Sequence, residues 1–189
     1  MGYFVNKIMH HMITNHSKWT EIEKMKMKLG FEVLLHNIFM IGSILIVAQL
    51  FGILTDSVFL MTAYGLLKIN AGGIHLKKSS TCLLATGLFV FSSVMIAKQI
   101  TLPLSAVILI YVVCILMLWK IGPQGTKNNP ISPHKYKKLK RNAIVISVSY
   151  LLISIWLYVI KKDIPYLLLI ALIFETISLL PLKLINDIE

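Results

Sequence analysis

The chain has 189 residues, 57% hydrophobic and only 14% charged, with a mean hydropathy of +0.78 and a formal net charge of +11. Soluble domains are about 45–50% apolar and about 25% charged, so composition excludes an ordinary soluble protein and leaves a polytopic membrane protein, with room for about six spans of roughly 20 residues and no separate soluble domain. Nucleic acid is not the implied partner of the positive charge, because the lysines lie between apolar runs, as inner-loop lysines of membrane proteins do.

Taken in chain order, residues 1–30 are mixed. Tyr3, Phe4, Ile8 and Met12 recur at helical spacing, as do Trp19, Ile22, Met25 and Leu29, with Lys7, Lys18, Lys24, Lys26 and Lys28 on the other faces. This pattern predicts N-terminal amphipathic helices, lying in the membrane interface or packed on the inner loops. A cleavable signal peptide is not expected, since no unbroken apolar core precedes Phe31. The first span is expected over Val33–Leu54, with Thr55-Asp56 as a tight outer turn. The second apolar run, Ser57–Ile69, is short for a crossing and predicts a tilted, broken or re-entrant segment. Non-helical backbone at that depth is tolerated only where protein or water lines it.

A polar break follows, then a third span over Thr81–Ala97 and a fourth over Leu102–Trp119. Lys120–Arg141 is the most polar stretch; Gly122-Pro123, Gly125, Pro130 and Pro133 give it the chemistry of a loop with a basic tail. The fifth span is expected over Ala143–Ile160 and the sixth over Ile164–Leu180, ended by Pro181. There is no internal repeat. The fold class is therefore all-α: a polytopic integral membrane helical bundle of about six transmembrane or partly re-entrant helices, plus the N-terminal amphipathic helices. We read residues 1–189 as a single membrane domain, made of an amphipathic region 1–30 and a bundle 31–189 with cytoplasmic loops 68–80 and 120–141.

Charge sets the expected orientation. With six crossings and the N-terminus inside, 16 of the 19 Lys and Arg residues are cytoplasmic, and only Lys98, Lys161 and Lys162 are outside. That split follows the positive-inside rule and puts both termini, His75 and Cys82 on the cytoplasmic side. A four-crossing arrangement with two re-entrant segments is the alternative.

The loop 68–80 carries the chemistry. Ser79-Ser80 is a candidate helix N-cap that places Cys82 in the first turn of the third span, where unpaired N–H groups and the positive end of the helix dipole gather. With Lys77 and Lys78 nearby, such surroundings favour thiolate over thiol. His75 lies seven residues upstream, on a segment that Gly72-Gly73 can fold back, and is a candidate base for the thiol and acid for a leaving amine. The free N–H groups are candidate oxyanion donors. On spacing alone, a solvated loop histidine and a gap-filling cysteine explain the pair as well. No third ligand is evident for a metal. Cys114, inside an apolar run, reads as a small buried hydrophobe, and the two cysteines do not suggest a disulfide framework.

Lys68, Asn70-Ala71-Gly72-Gly73-Ile74-His75 and Cys82 resemble the signature of the accessory gene regulator B (AgrB) family, bacterial membrane cysteine endopeptidases that process quorum-sensing peptide precursors and so take part in virulence regulation. The likeness covers nearly the whole chain. Tyr3-Phe4 with Asn6-Lys7-Ile8 resembles the family's N-terminus, and Pro123–Arg141, with Thr126-Lys127 and Pro130-Ile131, its central inner loop. Glu175-Thr176-Ile177 and Leu179-Leu180-Pro181 resemble its last span. Two positions depart: the family usually has Arg at Lys68, and often a run of lysines where this chain has Lys127-Asn128-Asn129. A point-charge role survives an Arg-to-Lys change, but a bidentate clamp does not.

The resemblance implies His75 and Cys82 as catalytic residues. Lys68, Gly72, Gly73, Lys127, Pro130 and Glu175 are expected to bind substrate or support the site. It also implies cleavage of a precursor before its acidic C-terminal tail through a Cys82 acyl-thioester, then closure of a thiolactone or lactone ring. No metal or organic cofactor is implied, and a homodimer is in keeping with the family. Glu175, mid-span, is costly at that depth; it is a partner for Lys68 or another polar group, while its expected depth argues against direct contact with His75. The basic run is expected to attract the acidic tail or to read anionic membrane lipids. A transporter or export partner for the signal peptide, with Glu175 and the short second segment lining a path, is the competing reading, and a scaffold or sensor subunit a third.

Overall fold

The computed structural model describes residues 20–73, 79–125, 131–160 and 163–188, with only the backbone of residues 21, 79, 80 and 181–188. Among them are six helices: α1 (Glu21–Leu50), α2 (Leu54–Ala71), α3 (Ser79–Gln99), α4 (Leu104–Ile121), α5 (Pro133–Leu157) and α6 (Asp163–Ile188). No strand forms among the described residues beyond one isolated bridge between Gly72 and Gln124. Five of the helices, all but α2, are long and apolar enough to cross a membrane, as the composition requires. The chain divides into two compact units, Met1–Val47 and Ala48–Glu189.

In the first unit the expected separation of an interfacial helix from a first span does not occur over the described residues. One helix runs unbroken from Glu21. Its start is a capping box: the Thr20 amide and hydroxyl each donate to Glu23 Oε2 at 2.9 Å, and the Glu23 amide donates to Thr20 Oγ1 at 3.3 Å. This satisfies donors that a helix start otherwise leaves orphaned. The expected helix over the first 19 residues lies outside the described residues.

The second unit opens with the end of α1. The Gly52 amide donates to the Gln49 carbonyl at 3.1 Å and the Ile53 amide to the Ala48 carbonyl at 3.0 Å, with Gly52 at φ +67°. This is a Schellman ending with glycine at the left-handed position. It moves the turn from the expected Thr55-Asp56 to residues 51–53, and both expected turn residues fall within α2. Asp56 then sits in the first turn of α2, where the helix dipole favours a carboxylate, and pairs with Lys98 near the end of α3 at 3.1 Å.

The short second segment is an unbroken helix. Its buried stripe, Ser57, Leu60, Ala63, Leu67 and Ala71, is rich in small residues, which let backbones approach closely where no hydrophobic drive separates helix from lipid. Its most extensive packing is against α6, which also packs on α3, α4 and α5 and is the hub of the unit. On α6, Leu167, Leu168, Ala171, Leu172, Glu175 and Thr176 are all buried. Polar pairs pin the other helices. The Tyr150 hydroxyl donates to the Ala63 carbonyl at 2.9 Å, and Tyr111 and Ser154 share a hydroxyl–hydroxyl bond of 2.8 Å.

Two boundaries differ from expectation on the later helices. α5 begins at Pro133, ten residues earlier than Ala143, so the basic run after it is helical. Pro133 at the first helical position loses no hydrogen bond, since that amide would be an orphan anyway. α6 does not end at Pro181 but runs on to Ile188. A proline removes one intrahelical bond and crowds the preceding turn, which here does not end the helix.

Candidate active site

The site lies where α2 ends and α3 begins. At the end of α2 the Gly72 amide donates to the Lys68 carbonyl at 2.9 Å, and the chain then turns with Gly72 at φ +87° and Gly73 at φ +106°. This region suits glycine because a Cβ there meets the backbone. Both glycines are also required by close neighbours. A methyl group on Gly72 would collide with the Gln124 carbonyl oxygen. On Gly73 it would lie 2.8 Å from Ser178 Oγ, 3.4 Å from Glu175 Oε1 and 3.7 Å from Lys68 Nζ. The glycine pair, read from sequence as a flexible step, is therefore a fitted one.

The partner of Gly72 comes from the segment after α4. Gly122, at φ +67°, ends that helix by donating from its amide to the Leu118 carbonyl at 2.8 Å. Two residues on, the Gln124 amide donates to the Ala71 carbonyl at 3.0 Å, and the Gly73 amide to the Gln124 carbonyl at 3.5 Å. The segments leading into the two polar stretches are thus stitched backbone to backbone.

Around Gly73 the charged groups gather. Lys68, one turn before the end of α2, donates from Nζ to the Tyr64 hydroxyl at 2.9 Å and lies 5.2 Å from the centre of the Tyr64 ring. It is within electrostatic reach of both Glu175 and Cys82. Glu175 is fully buried, and its Oε1 has no hydrogen-bond partner among the described residues. Ser178, one turn further along α6, donates to the Glu175 carbonyl at 2.9 Å and lies 3.5 Å from Oε2. An unpartnered buried carboxylate oxygen is costly, and here it faces the glycine that leads into the His75 loop. Glu175 is thus beside Gly73, just past the end of α2; its relation to His75 lies outside the described residues.

Cys82 is a half-buried thiol, not in a disulfide, in the first turn of α3. Ser79 and Ser80 are already helical, so they fall within the first turn of α3 instead of capping it. Cys82 is within electrostatic reach of Tyr64 as well as Lys68. Beyond it, Tyr64, Phe89 and Phe174 form an aromatic wall from α2, α3 and α6. Phe89 and Phe174 stack with centroids 3.9 Å apart, and Tyr64 meets them at 5.2 and 5.5 Å. Cys114, by contrast, is buried on α4 beside Thr176, as a packing residue should be.

The structure therefore brings together Lys68, Gly72, Gly73, Cys82 and Glu175. His75, Lys127 and Pro130 lie outside the described residues, as do His10, His11 and His16. Among the described residues no group of three or more His, Cys, Asp or Glu side chains converges as a metal site would. Sequence reasoning missed Tyr64, Ser178 and Gln124. Tyr64 lies four residues before Lys68 and Ser178 three after Glu175, which is helical adjacency and a signal that was available. Gln124 acts through its backbone, which leaves no trace in side-chain chemistry.

Comparison with known proteins gives a consistent result. The family described as Accessory gene regulator B matches residues 4–179. An AgrB-like protein of Clostridium acetobutylicum is 28% identical over 171 residues, covering 90% of this chain and 81% of its own length. The accessory gene regulator protein B of Staphylococcus lugdunensis is 29% identical over 163 residues, covering 85% and 84%. That of Staphylococcus aureus (strain Newman) is 23% identical over 189 residues, covering 99% and 98%. No solved structure matches the chain.

Proposed function

The chain belongs to the accessory gene regulator B family, and from that premise we propose that it is a membrane cysteine endopeptidase with Cys82 as nucleophile and His75 as its base. Membership gives it a role in quorum-sensing signal processing. The observation that carries the finer reading is the setting of the Cys82 thiol. It is half-buried in the first turn of a helix, where amide N–H groups without intrahelical partners gather, and its electrostatic neighbours include Lys68 and Tyr64. His75 follows Gly73 by two residues, a stretch that spans at most about 7 Å of extended chain.

In the proposed reaction His75 takes the thiol proton, and the Cys82 sulfur attacks the carbonyl of the peptide bond preceding the precursor's acidic tail. The C–N bond then breaks. The departing amine takes the proton from His75, and the N-terminal part of the precursor stays on Cys82 as a thioester. A cysteine or serine of the precursor attacks that thioester, forming a thiolactone or lactone and returning the proton and the free thiol. The aromatic wall supports transfer over hydrolysis, since water that cannot reach the thioester cannot compete. Lys68 offsets charge at the sulfur, and Glu175, beside Gly73, orients the His75 loop that follows it. Lys127, with Pro130, attracts and seats the acidic tail. The enzyme resides in the bacterial cell membrane, with both termini and the site on the cytoplasmic side.

The test is substitution in the full chain. Cys82→Ala and His75→Ala each abolish precursor cleavage at unchanged membrane levels. Cleavage retained in Cys82→Ala overturns the reading. A precursor whose ring-closing residue is replaced by alanine should accumulate on Cys82 as a mass adduct of its N-terminal part.

A further inference from the structure

Away from the nucleophile, the joint between α4 and α5 holds a cleft of about 310 Å³ lined by Trp119, Tyr136, Lys137, Lys140, Arg141, Ile144 and Val145. Its construction follows from helix spacing. Lys137, Lys140, Arg141 and Ile144 fall at i, i+3, i+4 and i+7 on α5 and share one face. Lys135 falls on another face, and Lys138, at the edge of this face three residues before Arg141, is not among the lining residues. Lys140 Nζ lies 5.6 Å from the centre of the Trp119 ring, close enough for a cation–π contact. Tyr136 packs its hydroxyl end over Gly122, where any side chain would collide with it, so the joint is held closed at its base.

Among the described residues no carboxylate lines this cleft to compensate its charge, and the sequence contains no Asp or Glu between Asp56 and Asp163. Three cations therefore converge on one face with no anion supplied by the cleft. Below them the surface turns apolar. Trp119 is 60% exposed and Val145 57%, and Leu116, Val148 and Leu152 continue the exposed apolar face along the same two helices. Cations over an indole, above an alkyl wall that continues toward the hydrocarbon, match the layered chemistry of one class of ligand: a phosphate group with acyl chains attached. An acidic peptide would satisfy the cations and leave the apolar wall without a partner.

We propose that this cleft is a binding site for an anionic phospholipid, its phosphate held by Lys137, Lys140 and Arg141 and its acyl chain lying along Ile144 and Val145. The site is independent of the cleavage chemistry and differs from a diffuse attraction of basic loops to a charged surface, because it assigns the contact to three of the α5 cations and not to Lys135 or Lys138.

Quenching of Trp119 tests it. In the full chain with Trp19→Phe and Trp156→Phe, Trp119 is the remaining tryptophan. Reconstitution into vesicles containing phosphatidylglycerol or phosphatidylcholine with brominated acyl chains reports which lipid occupies the cleft. Phosphatidylglycerol should bind there about fivefold more tightly or better, the weight of one basic residue at an anionic surface. The preference should vanish in Lys140→Ala/Arg141→Ala and persist in Lys135→Ala/Lys138→Ala, which removes the same net charge. Equal quenching by the two lipids overturns the proposal, as does equal loss in both double variants. Relief of quenching by millimolar inorganic phosphate, or by a soluble acidic peptide, overturns it in favour of that ligand. If the tryptophan variant does not fold, native mass spectrometry of the unmodified chain reads the same preference as retained phosphatidylglycerol over phosphatidylcholine, and absence of that excess rejects the site.

Discussion

At the scale of single residues, the glycine pair is the most demanding feature. Gly72 combines a left-handed backbone with contact against the Gln124 carbonyl, so Gly72→Ala carries the conformational cost of about 1–2 kcal/mol for a side chain there and a steric collision besides. Its thermal midpoint in detergent should fall, and precursor cleavage should fall further, because the displaced backbone carries the His75 loop. Cys114→Ala makes the opposite case: a buried packing thiol loses a small volume, cleavage should persist, and a large loss of activity would mean the wrong sulfur had been assigned. Lys68, Glu175 and Cys82 were legible as polar groups in or beside apolar runs, where each is expensive and needs a reason. A pairing of Glu175 with Lys68 was anticipated, but the approach of Glu175 to Gly73 was not legible. It depends on how far along α6 the level of the α2 terminus falls, which a helix ending at Pro181 misjudges.

At the scale of elements, the errors of sequence reading came from local chemistry at boundaries. Thr20-x-x-Glu23 is a readable capping box, yet the lysines after it suggested an interfacial segment distinct from the span. Gly52 is a readable C-cap, overlooked in favour of Thr55-Asp56. Pro133 was read as a loop residue when its place was the start of a helix. The spans themselves, being long and strongly apolar, were found within a few residues for α3 and α4. Polar pairs between helices had no sequence signal, because the tyrosines and serines involved look like ordinary span residues. Tyr150→Phe deletes the donor to the Ala63 carbonyl while keeping the ring. It should lower stability by about 1 kcal/mol, read as a reduced thermal midpoint, with cleavage otherwise intact.

At the scale of the whole molecule, composition alone gave a membrane protein, and five helices fit that by length and hydropathy. Sidedness rests on the distribution of lysine and arginine. In a chain with Cys82 and Cys114 replaced by alanine, a membrane-impermeant thiol reagent applied to intact cells should label Lys162→Cys. Lys135→Cys should be labelled only after the cells are opened. The reverse pattern would invert the orientation and place the thiol of the native site outside.

The stitch between Gly72 and Gln124 also has a mechanical meaning. Two polar stretches, one carrying His75 and the other Lys127 and Pro130 of the proposed substrate-binding segment, follow a common knot of main-chain bonds. Tension applied to either is felt at that knot. A peptide gripped by the second stretch would thereby tug on the root of the first, so that seating the cargo and aligning the proton carrier become a single motion.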